Sequence, residues 1–293
     1  MSFDVTQYGK YRRIVAQPHI DGIFASGLLN RIFNVVLCFK LFLRRAKYSI
    51  LVGMPIHINA QISQSFIIDI INCEKVFKGT LTTNFILCNN KYGSLTDFVV
   101  DIFDFDVPDD LLDAVYEIST KDVPENSFSE KLLVSWLISG KSVRKELATL
   151  VQRSRWEEIR TWAHEKSSGA LARHIIDMGH RLKERFQTLL PWVAAIRFSI
   201  KNKVERLAAK YLLHNSSDIA PVIVILGCDQ QKVKLCFIHS QRYDLTLLSN
   251  FLENLGYATI ARPHIIRIHL DEAINPFINR LILALRSSHK RIK

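Results

Sequence analysis

The sequence predicts an α/β fold: a parallel-sheet N-terminal domain, a helical middle segment and a smaller α/β C-terminal domain. Three observations carry this. Short apolar runs without strict alternation, YSILVGM (48–54), SFIIDII (65–71) and NFILC (84–88), suit strands buried on both faces of a sheet. Apolar positions at helical spacing dominate 110–214. After 215, strand, hairpin and amphipathic-helix signals return. The expected divisions are 1–125, 126–214 and 215–293.

In chain order, RRIVA (12–16) reads as the first strand and 21–45 as one helix, IFNVVLCFKLFL (32–43) being its buried end. In the middle, Leu111, Leu112, Val115 and Ile118 share a helical face, as do Leu182, Phe186, Leu189, Leu190 and Val193, and again Val204, Leu207, Ala208 and Tyr211. Pro124 and Pro191 interrupt this run, and Ser167-Ser168-Gly169 marks a break. HNSSDIAP (214–221) is a linker, APVIVILG and KVKLCFIH (232–239) are hairpin partners, and 243–256 is a helix stopped by Gly256. Residues 258–270 supply further strand and 272–286 a final helix.

The chain of 293 residues is 48% apolar, which supports a sizeable core and argues against disorder. No apolar run spans a bilayer, since the best candidate is short and contains Lys40. MSFDVTQYGKYRR lacks the apolar centre of a signal peptide. Five scattered cysteines without a CxxC pair make a zinc site or disulfide framework unexpected and suit a reducing cytoplasm. Charge is uneven: Lys and Arg less Asp and Glu give −3 over 1–130, +10 over 131–214 and +4 over 215–293. Clustered basic charge points to a polyanionic partner, with solvated helix faces as the plain alternative.

The stretch that carries chemistry is QPHIDGIFASGLL (17–29), where a strand runs into a helix across Asp21 and Gly22. Asp69 stands late in the strand SFIIDII, the strand FILC runs into Asn89, Asn90 and Lys91, and Asp122 closes YEISTKD. The order of these pieces resembles the DHH phosphoesterase superfamily, its RecJ-like branch in particular. That family's first motif reads roughly HxDxDGxxSAxLL. Asp21, Gly22 and the small residues Ala25, Ser26 and Gly27 agree with it, while Gln17 and His19 replace a histidine and an aspartate. Asn89, Asn90 and Lys91 stand in place of the Asp-His-His triplet. KVKLCFIHS and the following helix resemble the DHH-associated domain, whose glycine-rich substrate loop here reads LGYATIARPH.

The family's chemistry uses two divalent cations, typically manganese, which need several anionic or imidazole ligands at short range. His19, Asp21, Asp69 and Asp122 remain. Asn89 is neutral, and an ammonium at Lys91 repels cations. Tyr257, Thr259 and Ile260 crowd the loop whose glycines would admit an anion to backbone N–H groups. The resemblance therefore implies a retained fold without the reaction, with no metal and no cofactor. Asp21 then caps the helix that starts at Gly22, and Lys91 is a partner for Asp69 in the vacated site. One weak metal site using His19 is the other reading.

In the basic segment, candidate phosphate contacts are Arg144, Lys145, Arg153, Arg155, Lys201, Lys203, Arg206 and Lys210. Trp156, Trp162 and Trp192 either stack on bases or pack in the core. Glu157, Glu158 and Glu165 beside Arg155 and Arg160 suit ordinary surface pairs. DFVVDIFDFDVPDD (97–110) reads as an acidic loop anchored by its phenylalanines, and the histidines 164, 174 and 180 form no metal motif.

The resemblance further implies a relative of the archaeal replication proteins akin to RecJ and to the C component of the CMG helicase. Such a scaffold binds the GINS complex, supports the MCM helicase and touches single-stranded DNA, in the cytoplasm at the nucleoid and away from membranes. The rivals are a divergent manganese-dependent phosphoesterase or single-strand exonuclease and a free-standing nucleic-acid-binding module.

Overall fold

The computed structural model describes residues 10–40, 43–54, 56–70, 84–120, 123–216, 218–240, 243–257, 259–262 and 265–289. The chain forms two compact units, Met1–Ser167 and Ser168–Lys293.

The first unit is built on strands β1 (Arg13–Ala16), β2 (Val36–Phe39), β4 (Ser49–Val52), β6 (Phe66–Asp69) and β7 (Phe85–Cys88). They form one parallel sheet in the order β2-β1-β4-β6-β7. Every residue of β4 and β6 is buried, which explains why, apart from Ser49 and Asp69 at their ends, their sequences are apolar runs rather than alternating ones. The outer strands are less covered, leaving Val36 63% and Phe85 44% exposed. Strands β3 (Leu43–Lys47) and β5 (Ile56–Ser63) make a separate parallel pair.

Helix α1 (Ile20–Phe33) is buried at every position from Ile20 to Asn30, so it lies inside the unit instead of showing one face to water. It packs against α2 (Leu95–Phe103), α3 (Asp109–Thr120) and α5 (Lys141–Gln152), while α4 (Phe128–Ile138) pairs with α6 (Trp156–Ser167). Full burial of side chains such as Phe24, Leu28 and Leu29 stabilises the unit by about 1.5–3 kcal/mol each.

The second unit has a six-stranded sheet of β8 (Gln187–Leu190), β9 (Val193–Ser199), β10 (Val222–Asp229), β11 (Lys232–His239), β12 (Thr259–Arg262) and β13 (Ile265–Ala273). Its order is β12-β13-β11-β10-β9-β8; β9 and β10 run parallel and the other neighbours antiparallel. Helices α9 (Thr246–Asn254) and α10 (Ile274–His289) cover one face through Leu248, Leu252, Phe277 and Leu281. Helices α7 (Ala170–Lys183) and α8 (Lys203–Leu212) pack together where Gly179 meets the Tyr211 ring.

The α/β class holds, with three corrections to the elements. The expected helix 21–45 ends at Phe33: Asn34 turns into the left-handed region (φ 44), the Asn30 side chain accepts from Val35 N–H, and 36–39 joins the sheet beside β1. Residues 187–199 are not helix but the hairpin β8–β9, with Pro191 and Trp192 in its turn. The acidic stretch 97–110 is not a loop at its start: Ser94 caps α2 by accepting from Asp97 N–H, and Phe98 and Val99 are buried. Among the described residues no helix is long and apolar enough to cross a membrane. Cys88 is disulfide-bonded, whereas Cys38, Cys228 and Cys236 are free thiols.

Candidate functional site

Because β1, β4, β6 and β7 run parallel, their carboxyl ends share one edge, where such sheets gather function. The loop after β1 brings Gln17, His19 and Asp21 there. β6 ends on Asp69, and β7 runs into Asn89, Asn90 and Lys91. Gly22 is required by the close turn: a Cβ at this position would sit 2.5 Å from the Gln17 carbonyl oxygen.

His19, not Asp21, is the N-cap of α1. Its Nδ1 accepts from Gly22 N–H (3.0 Å), so the proton resides on Nε2, which donates to Gln17 Oε1 (2.7 Å). Both ring nitrogens are thereby committed. Asp21 instead caps a helix far along the chain. Its Oδ2 accepts from Leu95 N–H (2.9 Å), and its Oδ1 from Thr96 N–H (2.7 Å) and the Thr96 hydroxyl (2.8 Å). The amide groups of the first turn of α2 lack intrahelical partners, and a buried carboxylate at the positive end of the helix satisfies them.

Asp69 is buried, and its carboxylate accepts from Ile70 N–H (2.8 Å). The expected ion pair with Lys91 does not form: Lys91 is exposed, and its backbone N–H donates to Asn89 Oδ1 (3.1 Å) in a side-chain-closed turn. Asn90 is exposed. Asp122 lies outside the described residues. Among the described residues, no three His, Cys, Asp or Glu side chains group in a way that would hold a metal ion. A donor set with both His19 nitrogens and both Asp21 oxygens turned toward protein partners does not fit a pair of divalent cations.

Sequence reasoning missed Leu95 and Thr96, which hold Asp21, and Asp97, whose like charge opposes it. The spacing Ser94-x-x-Asp97 is a helix-start signature and could have found α2. Asp97 is half-buried; burial first, then the negative charge of Asp21, pushes its carboxyl up to about 6, with Asp113 adding and the Ser94 hydrogen bond opposing. Below the ordinary value of 3.8 both folded and unfolded chains hold the proton and Asp97 costs nothing. As the pH rises toward about 6 the unfolded chain ionises first, so stability falls through this window and stays lowered above it. With screening at a half-exposed group the loss is about 1 kcal/mol. Asp97→Asn is expected to flatten this dependence, as denaturant unfolding from about pH 4 to about pH 7.5 would measure.

The candidate phosphate contacts divide between the units. Arg144, Lys145, Arg153 and Arg155 lie on or just after α5, with Arg144 half-buried and its guanidinium lowered by burial. Arg155 pairs with Glu158, and Arg160 with Asp110 and Glu157. In the second unit Lys203, Arg206 and Lys210 form an exposed stripe on α8, while Lys201 is paired to Asp229 (2.8 Å). Trp192 packs on the second unit's core and against Tyr243, and Trp156 and Trp162 are half-buried.

No family model and no curated protein matches the sequence. Solved structures do match. The pGpG-specific phosphodiesterase PggH from Vibrio cholerae superposes with a TM-score of 0.57 at 13% identity, over 96% of this chain and 100% of that one. RecJ from Thermus thermophilus, solved with Mn²⁺, gives 0.57 at 10% identity over 97% of this chain and 53% of its own. The chain shares the fold of these proteins. CDC45 from Entamoeba histolytica also superposes, at a TM-score of 0.50 and 9% identity, over 98% of this chain and 96% of that one. At these identities the likeness concerns the fold alone.

Proposed function

We propose that this chain is a non-catalytic, RecJ-like protein that acts as a docking body in an archaeal replicative helicase of the CMG type. It engages the GINS complex, supports the MCM ring, and touches single-stranded DNA through its basic helices at the nucleoid. The observation that carries the loss of catalysis is the Asp21 carboxylate, closed onto the start of α2 by three hydrogen bonds. A cation ligand needs lone pairs turned into an open crevice, and three of the four positions on this carboxylate are taken by N–H and O–H donors. The full-length likeness to CDC45 supports the choice of assembly.

A second reading is a divergent manganese-dependent phosphodiesterase or single-strand exonuclease using His19, Asp21, Asp69 and Asp122. The likeness to PggH over that protein's whole length favours it. Incubation with Mn²⁺ and either pGpG or a single-stranded oligonucleotide separates the two. The wild-type chain is expected to leave both substrates intact, as Asp69→Asn does. Turnover by the wild type that disappears in Asp69→Asn would establish the enzyme. The scaffold role is tested by size-exclusion chromatography with a purified archaeal GINS complex. Co-elution is expected, and separate elution at micromolar concentration rules it out.

A further inference from the structure

The geometry points to a nucleotide-binding groove in the second unit, with Arg185 and Arg197 holding phosphate and an apolar floor receiving the base. This deepens the single-strand contact proposed above and rests on that part of the reading. The groove has a volume of about 440 Å³ and runs along the β8 edge of the sheet. That volume falls in the range of small-molecule sites. Leu226, which is buried, Ala195 and Ile278 form its floor. Arg185, in the turn leading into β8, and Arg197, on β9, line it together with Glu184.

Two guanidinium groups line this groove. Several cations elsewhere in the unit are paired: Lys183 with Asp218 (3.0 Å), Lys201 with Asp229 (2.8 Å) and Lys234 with Asp271 (2.7 Å). Among the described residues, Arg185 and Arg197 have no carboxylate within ion-pair distance, although Glu184 lines the same groove. Residues 168–214 hold nine Lys and Arg against three Asp and Glu, so no surplus of acid is at hand to neutralise them. β9 alternates, which sets Ala195 and Arg197 on one face of the sheet, a flat apolar step beside a guanidinium fork. That juxtaposition matches a nucleotide: a planar base on the floor and a doubly hydrogen-bonded phosphate at the rim. β8 is the outermost strand, and among the described residues no further strand pairs with its outer edge to compete with a ligand.

The test titrates the full chain with a fluorescent deoxythymidine decamer and, separately, with thymidine monophosphate. R185Q/R197Q is expected to weaken binding about tenfold, and so is Gln187→Trp, which fills the groove from an exposed position without changing charge. Unchanged melting temperatures verify that both variants fold. Loss for the decamer alone assigns the groove to nucleotides within a strand, and loss for the monophosphate alone assigns it to free nucleotides. Wild-type affinity for both ligands in R185Q/R197Q overturns the groove, as does an absence of binding by the wild type. If K203Q/R206Q weakens the decamer while R185Q/R197Q does not, the strand contact stands and the groove falls.

Discussion

Asp21→Ala is expected to destabilise the first unit by about 3–4 kcal/mol, because hydrogen bonds to a charged group are worth about 1.5–3 kcal/mol and the abandoned buried donors add their own penalty. For a unit of this size that corresponds to a melting point lower by about 10 °C. The substitution strands Leu95 N–H, Thr96 N–H and the Thr96 hydroxyl at a buried helix start. Asp21→Asn loses nearly as much, since one end of an amide presents N–H groups to a site made only of donors. Thr96→Val is expected to cost about 1 kcal/mol, and the double variant less than the sum, because both changes break the same bond. Thermal melts of the wild type and the four variants decide it, and a melting point for Asp21→Ala within a degree or two of the wild type would sink the capping role. The stability loss also bears on function: an inactive Asp21→Ala protein would say nothing of catalysis until its folding had been measured.

The legible parts of the fold were those whose burial leaves a distinctive pattern. β4 and β6 are covered on both faces, so their runs are almost wholly apolar and short, a combination that suits a buried strand better than a helix. β2 was illegible because VVLCF continues the apolar spacing of α1, and the boundary depends on the left-handed turn at Asn34, a conformation open to asparagine but not demanded by it. Leu189, Leu190 and Val193 also satisfy a helical spacing, and what makes them strand is the pairing of β9 with β10, which starts at Val222, a partner that local sequence does not contain. The same limit governs the site. Asp21 stood out as a residue, but its partners lie 74 and 75 positions away. A carboxylate before a helix reads as that helix's own cap, and only the tertiary structure reveals His19 in that place and Asp21 serving α2.

Gly27→Val is expected to cost about 3 kcal/mol, the upper part of the range for overpacked cores. The small residues Ala25, Ser26 and Gly27 agree with a family motif in the sequence, and the structure gives Gly27 a packing reason. A Cβ there would lie 2.7 Å from the Ala148 carbonyl oxygen and 2.8 Å from the Val151 Cβ, so α5 crosses α1 directly over this position. Backbone cannot move aside as a flexible side chain can, and the two helices must separate along their length. Replacing glycine inside a helix gains at most about 1 kcal/mol of propensity, less for a β-branched residue, so the clash decides the sign. Val151→Ala is expected to rescue only part of the loss, because it removes the γ carbons but neither the β carbon nor the Ala148 carbonyl. Urea unfolding of Gly27→Val, Val151→Ala and the pair provides the check. Full rescue by Val151→Ala would mean that side chains, not backbones, set this crossing, and a Gly27→Val protein as stable as the wild type would remove the close approach of α1 and α5 altogether.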